Sequence, residues 1–144
     1  MDRFKMIASS YLLLVIDGKI LLSRRFKTGY EDGKYSLPAG HIEDNESLTA
    51  GGAREIFEEI GIRIKPKDLT LVHVMHRKKD DIRMDFFFTP EIGDQKPINN
   101  EPNKCDDLRW FPLTNLPANT IPYIHHAIDC YQKKIFYSEF GWSL

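Results

Sequence analysis

GHIEDNESLTAGGAREIFEEIGI, residues 40–62, reads as a loop, a helix and a helix stop. Asn45 or Ser47 can cap an N-terminus, and Leu48, Gly52, Ile56 and Ile60 recur at four-residue spacing along one stripe. Gly61 stands where a left-handed C-terminal residue is wanted, so the spacing predicts a helix over about residues 47–60. On that helix Glu55, Glu58 and Glu59 fall at i, i+3 and i+4, which puts three carboxylates on one face with Arg54 beside them. A glutamate-rich face is ordinarily just solvated. Here Gly51 and Gly52 lie inside the helix, where each costs up to about 1 kcal/mol against Ala, so a neighbouring backbone is expected to pass close by. The preceding loop adds Glu43, Asp44 and Glu46, and the summed charge asks for a cation. Oxygen ligands without Cys, and with His only at position 41, favour Mg²⁺ or Mn²⁺ over Zn²⁺.

The same segment resembles the signature of the Nudix hydrolases, G-x5-E-x7-R-E-U-x-E-E-x-G-U with U a bulky aliphatic residue. Gly40, Glu46, Arg54, Glu55, Ile56, Glu58, Glu59, Gly61 and Ile62 fill every fixed position. The resemblance implies an α/β/α sandwich with a mixed β-sheet and hydrolysis of a nucleoside diphosphate linked to another group. It also implies that Glu58 and Glu59 are metal ligands, and that Glu55 is a further ligand or the group that deprotonates water. Arg54, counted with this catalytic set, is implied to orient a glutamate by pairing with Glu46 or Glu58. In the family a glycine usually precedes the first motif glycine and lends its carbonyl to the metal. This chain has Ala39 there, whose carbonyl survives the change, so Ala39 is carried as a ligand.

Around this segment the chain reads as one domain. A length of 144 residues fits a single core spanning 1–144, and 42% hydrophobic with 28% charged residues is ordinary for a globular protein. A net charge of −1 gives no global attraction to a nucleic-acid polymer or an anionic membrane, so any phosphate affinity must be local. Cys105 and Cys130 are too few for a disulfide framework and lack metal-site spacing, which makes the cytoplasm the expected location. An N-terminal basic pair before an apolar run invites a signal-peptide reading. No small-residue cleavage site follows, however, and Asp17-Gly18 interrupts the run as a hairpin turn would. No segment approaches transmembrane length.

Two antiparallel strands are expected over 7–16 and 19–25, followed by a polar loop at 26–33 lying near the site. Residues 35–38 read as a short strand, 69–76 and 82–89 as strands across a charged turn, 91–104 as a long loop, and 108–111 as a further strand. Ile121, Ile124, Ala127, Ile128 and Tyr131 predict an amphipathic helix over 121–133. The last eleven residues, with Phe136, Tyr137, Phe140 and Trp142, are aromatic enough to pack as a tail or against a partner chain, a homodimer included.

Arg24, Arg25 and Lys27 are candidate phosphate contacts, and Tyr30, His76 and Phe87 candidate walls for a base. A second resemblance lies in the long loop. Asn100 to Cys105 followed by Trp110 is similar to the N-x-E-P-x-K-C-x(n)-W segment of MutT-like nucleoside triphosphate diphosphatases. It implies that Glu101 adds a carboxylate to the metal cluster, the plainer reading being a loop glutamate paired with Lys104. Together the two resemblances point to a Mg²⁺- or Mn²⁺-dependent enzyme releasing monophosphate and pyrophosphate from a (deoxy)nucleoside triphosphate. The alternatives are a nucleotide-sugar hydrolase of ADP-ribose or GDP-sugar type and a non-catalytic nucleotide-sensing module.

Overall fold

A computed structural model describes residues 2–143. In chain order the elements are β1 (Ile7–Leu12), β2 (Val15–Ile16), β3 (Lys19–Arg25), β4 (Tyr35–Ser36), β5 (Ala39–His41), α1 (Leu48–Ile60), a 3₁₀ turn (Pro66–Asp68), β6 (Leu69–Lys78), β7 (Ile82–Pro90), β8 (Cys105–Pro112), α2 (Pro122–Gln132) and β9 (Tyr137–Phe140). They form two sheets. The larger runs β5-β1-β7-β6-β9 and is mixed, with β1/β7 and β6/β9 parallel and the other pairs antiparallel. The smaller places β2, β4 and β8 around β3.

The run expected as one strand over 7–16 is split between these sheets. The Leu13 amide still donates to Phe88 of β7, whereas the Leu14 carbonyl already accepts from Leu21 of β3. Pattern could not show the crossing, because Leu12, Leu13 and Leu14 are all buried and the apolar run continues through it. The hairpin shrinks to β2 and β3, joined by Asp17 (φ 52°) and Gly18 (φ 74°), the two positive φ angles of the tight turn that Asp-Gly favours.

Alternation divides the core into two layers. Tyr11, Leu13, Ile20 and Leu22 pack with Met75, Phe87 and the Ile124, Ala127 and Ile128 face of α2. Leu12, Leu14 and Leu21 pack with Ala53, Ile56 and Ile60 of α1. Helices therefore cover opposite faces of β-structure, the α/β/α arrangement the resemblance implied. The aromatic tail turns out to be a strand: β9 pairs parallel with β6 of its own chain, leaving Ile135, Phe136 and Tyr137 exposed. Cys105 and Cys130 are free thiols, and no described helix is long and apolar enough to cross a membrane.

Candidate active site

Helix α1 is fixed at both ends. Ser47 caps it through the Ala50 amide at 3.2 Å, and Gly61 closes it at φ 70°. Its last carbonyls are then taken by the long loop: the Ile98 and Asn100 amides donate to Ile60 and Glu59 at 2.9 and 3.0 Å, and the Asn100 side chain donates to Glu58 at 3.2 Å. This docking carries Glu101 to the carboxylate face. The internal glycines do mark close approach, but to side chains rather than to backbone. A Cβ at Gly51 would meet Glu46 Oε1 at 2.6 Å, and one at Gly52 would meet Ser10 of β1 at 3.3 Å. Gly40 is tighter than either, since a Cβ there would occupy the space of the Glu55 side chain.

Arg54 sits at the centre of an acidic ring, donating to Glu46 at 2.8 Å, Glu55 at 3.1 Å and Glu58 at 3.3 Å, with Glu43 at 3.6 Å. Both expected partners, Glu46 and Glu58, are thus in reach. The guanidinium and the Glu43 amide hold the Glu46 carboxyl down to about 2. Glu55 titrates above the usual carboxylate range, because burial outweighs its bond from Arg54.

Glu59 is different. Among the described residues no Lys or Arg pairs with it, and its one donor is the Ala39 amide at 3.0 Å. Burial pushes its carboxyl up to about 8, with Glu55 and Glu101 adding to the rise and the Ala39 amide opposing it. Ala39 lies on the edge strand β5, opposite Tyr11 of β1. The ladder bonds are made by its neighbours, as the Leu12 amide donates to Pro38 and the Ile42 amide to Ala8, so the carbonyl of Ala39 faces outward on the same side as its amide. A partly buried, cation-less carboxylate, a free carbonyl and nearby Glu55, Glu58 and Glu101 form an all-oxygen donor set that suits a hard divalent ion. As the side chains stand, no three described His, Cys, Asp or Glu groups converge closely enough to enclose one.

These residues line a cleft of about 770 Å³ whose walls also include Arg24, Arg25, Lys27 and Tyr30. Arg24 is paired with Asp106 at 2.7 Å. Arg25 donates to the Tyr30 carbonyl at 2.6 Å and stacks over the Tyr30 ring at 5.3 Å, with no carboxylate partner among the described residues. Glu101 reaches Lys104 only at 3.8 Å. Two candidate walls lie elsewhere. His76 stacks on Trp142 at 4.6 Å, and Phe87 is fully buried against Tyr11.

Sequence reasoning missed the inner floor of the cleft, made by Ser9, Tyr11, His41, Arg77, Arg83 and Tyr123. Arg77 donates to the buried Asp85 at 2.6 Å and lies 3.7 Å above the Tyr123 ring, whose hydroxyl bonds that of Tyr11 at 3.0 Å. Period-two alternation places Arg83 and Asp85 on one face of β7, a signal that was legible but unread.

A sequence model of the NUDIX domain matches residues 6–129, most of the chain. The chain belongs to the Nudix family. This Nudix domain is 28% identical over 134 residues to "Phosphatase NudJ" of Escherichia coli strain K12, covering 88% of the chain and 86% of that protein. Its structure resembles a MutT NUDIX hydrolase from Burkholderia pseudomallei (26% identity, TM-score 0.78, 88% of this chain and 98% of that one). It also shares its fold with a NUDIX hydrolase from Nitrosomonas europaea (22% identity, TM-score 0.79, 96% and 80% covered). The Nudix domain is accordingly a hydrolase of small-molecule substrates in the nucleoside-diphosphate-X class, a class that generally uses divalent metal ions.

Proposed function

We propose that this Nudix hydrolase converts a nucleoside triphosphate to its monophosphate and pyrophosphate with Mg²⁺ or Mn²⁺. The observation that carries the reading is the cation-less Glu59 carboxyl opening, with Glu55 and Glu58, onto the same cleft as the basic residues Arg24, Arg25 and Lys27. A diphosphate cannot sit beside three glutamates unless cations stand between them. Glu58, Glu59, the Ala39 carbonyl and Glu101 would hold the metal, leaving Glu55 for the proton of the attacking water. When bound, the metal neutralises phosphate oxygens and stabilises the leaving group.

The remaining steps belong to the chain. Arg54 keeps Glu58 and Glu55 aimed into the cleft. Glu55, with its raised proton affinity and exposed edge, accepts a proton from the attacking water better than an ordinary carboxylate would. Arg25 and Lys27 hold the phosphates, and Tyr30 flanks them. Water oxygen bonds to the α- or the β-phosphorus, the bond from that phosphorus to the oxygen bridging the two breaks, and the other product departs with that electron pair. Similarity to a MutT NUDIX hydrolase supports the hydrolytic part of this reading, whereas "Phosphatase NudJ" is named for release of phosphate. Hydrolysis in oxygen-18 water tests the reading: monophosphate and pyrophosphate are the expected products, with label in the monophosphate for attack at the α-phosphorus and in pyrophosphate for attack at the β-phosphorus. Orthophosphate as the main product, or activity confined to nucleotide sugars, would refute it.

A further inference from the structure

The inner floor of the cleft holds a buried hydroxyl with nothing to bond. Ser9 is 2% exposed, and its Oγ is the one buried side-chain polar atom among the described residues without a hydrogen-bond partner. An orphan of this kind costs stability in the free protein unless a ligand or water completes it. Register puts Ser9 between His41 of β5 and Asp85 of β7, on the cleft side of the sheet with Tyr11.

Of the groups beside it, Asp85 is an acceptor already taken by Arg77, and His41 and Arg83 are donors. Arg83 NH1 lies 3.1 Å from His41 Nε2, and because guanidinium can only donate, Nε2 accepts and the ring's Nδ1 carries the hydrogen. The charges here are already matched. Arg83 is held by Asp81 at 3.0 Å and Arg77 by Asp85 at 2.6 Å, unlike Arg25 nearer the carboxylate helix. A further phosphate would want uncompensated cations. A neutral ring presenting carbonyl oxygens would find donors without having to displace a carboxylate. His41 is two residues along β5 from Ala39, about 7 Å, so such a ring would stand one group removed from the reacting phosphate.

Resting on the triphosphate reading above, we propose that Ser9, His41 and Arg83 form a specificity subsite that donates hydrogen bonds to a carbonyl edge of the nucleobase, favouring uracil over cytosine. The two bases have the same ring and differ at the exchanged oxygen and amino group, so the pair isolates hydrogen-bond sense from size. The Ser9 hydroxyl can donate or accept and so meets either group, but Arg83 and the His41 Nδ1–H only donate, so they bond the oxygen and leave the amino group facing a donor.

The test is kcat/KM for UTP and CTP in the wild type, Ser9→Ala and His41→Ala, with melting temperatures alongside. The wild type should prefer UTP by about tenfold or more, His41→Ala should cut that ratio about fivefold, and Ser9→Ala should raise KM for both nucleotides about fivefold with the ratio kept. Ser9→Ala removes an unbonded group, so its melting temperature should hold or rise. Equal use of both bases, or a ratio unchanged in His41→Ala, overturns the subsite while leaving the triphosphate reading intact. A fall of several degrees in Ser9→Ala would likewise overturn it by assigning the hydroxyl a structural role. If no nucleoside triphosphate is turned over, the proposed function fails first. Calorimetric binding of UMP and CMP then judges the subsite by itself, with equal affinities overturning it.

Discussion

A carboxyl that titrates at about 8 must give up its proton before it can hold a cation, so the metal binding proposed for Glu59 would be a pH-linked event. In the metal-free protein Glu59 is roughly nine-tenths protonated at pH 7. Binding Mg²⁺ at pH 7 should therefore release about 0.9 proton from this residue. Apparent affinity should rise about tenfold, or about 1.4 kcal/mol, per pH unit between pH 6 and pH 7.5, flattening above pH 8. Titration calorimetry in buffers of different ionisation heat, Pipes and Tris for example, reads the proton count directly. Glu59→Gln should abolish both the release and the slope. The metal-free stability has its own signature. The folded value lies above the ordinary 4.5, so protonated Glu59 favours the fold at low pH, and that contribution is lost as pH rises from about 4.5 to about 8. Proton release near zero at pH 7 with tight Mg²⁺ binding would refute the reasoning, since it would mean that Glu59 is either already ionised or not a ligand.

Three further outcomes are expected. Glu58→Gln keeps the volume but removes the charge of a proposed ligand, and should lower kcat on the order of a thousandfold with an unchanged circular dichroism spectrum; wild-type rates would end its assignment. In Gly40→Ala the added Cβ displaces the Glu55 side chain, so kcat/KM should fall roughly a hundredfold, and full activity in a folded variant would show that Glu55 needs no such placement. Asp85→Ala strands the buried Arg77 guanidinium and should cost about 3–5 kcal/mol in urea unfolding, whereas a loss under 1 kcal/mol would mean that Arg77 finds water instead.

Helix α1, its caps and its carboxylate face were readable from residues 40–62 because they depend on contacts at i+3 and i+4, which spacing alone specifies. The Asp17-Gly18 turn was readable for the same reason, its two φ angles being a local matter. Strand partners were not. Whether Leu13 continues into one sheet or hands over to another depends on Phe88 and Leu21, distant residues that a local pattern does not see. The same holds for β5 and β9, three and four residues long, which exist because β1 and β6 offer them free edges. Nor could composition reveal that Glu59, one of three similar glutamates, loses solvent under β5 and holds its proton to about 8, or that Ser9 ends beside His41 with an unbonded hydroxyl. The sequence by itself determined which groups the helix presents. Tertiary structure alone decided their surroundings, because desolvation and hydrogen-bond partners are set by chain segments that meet only on folding.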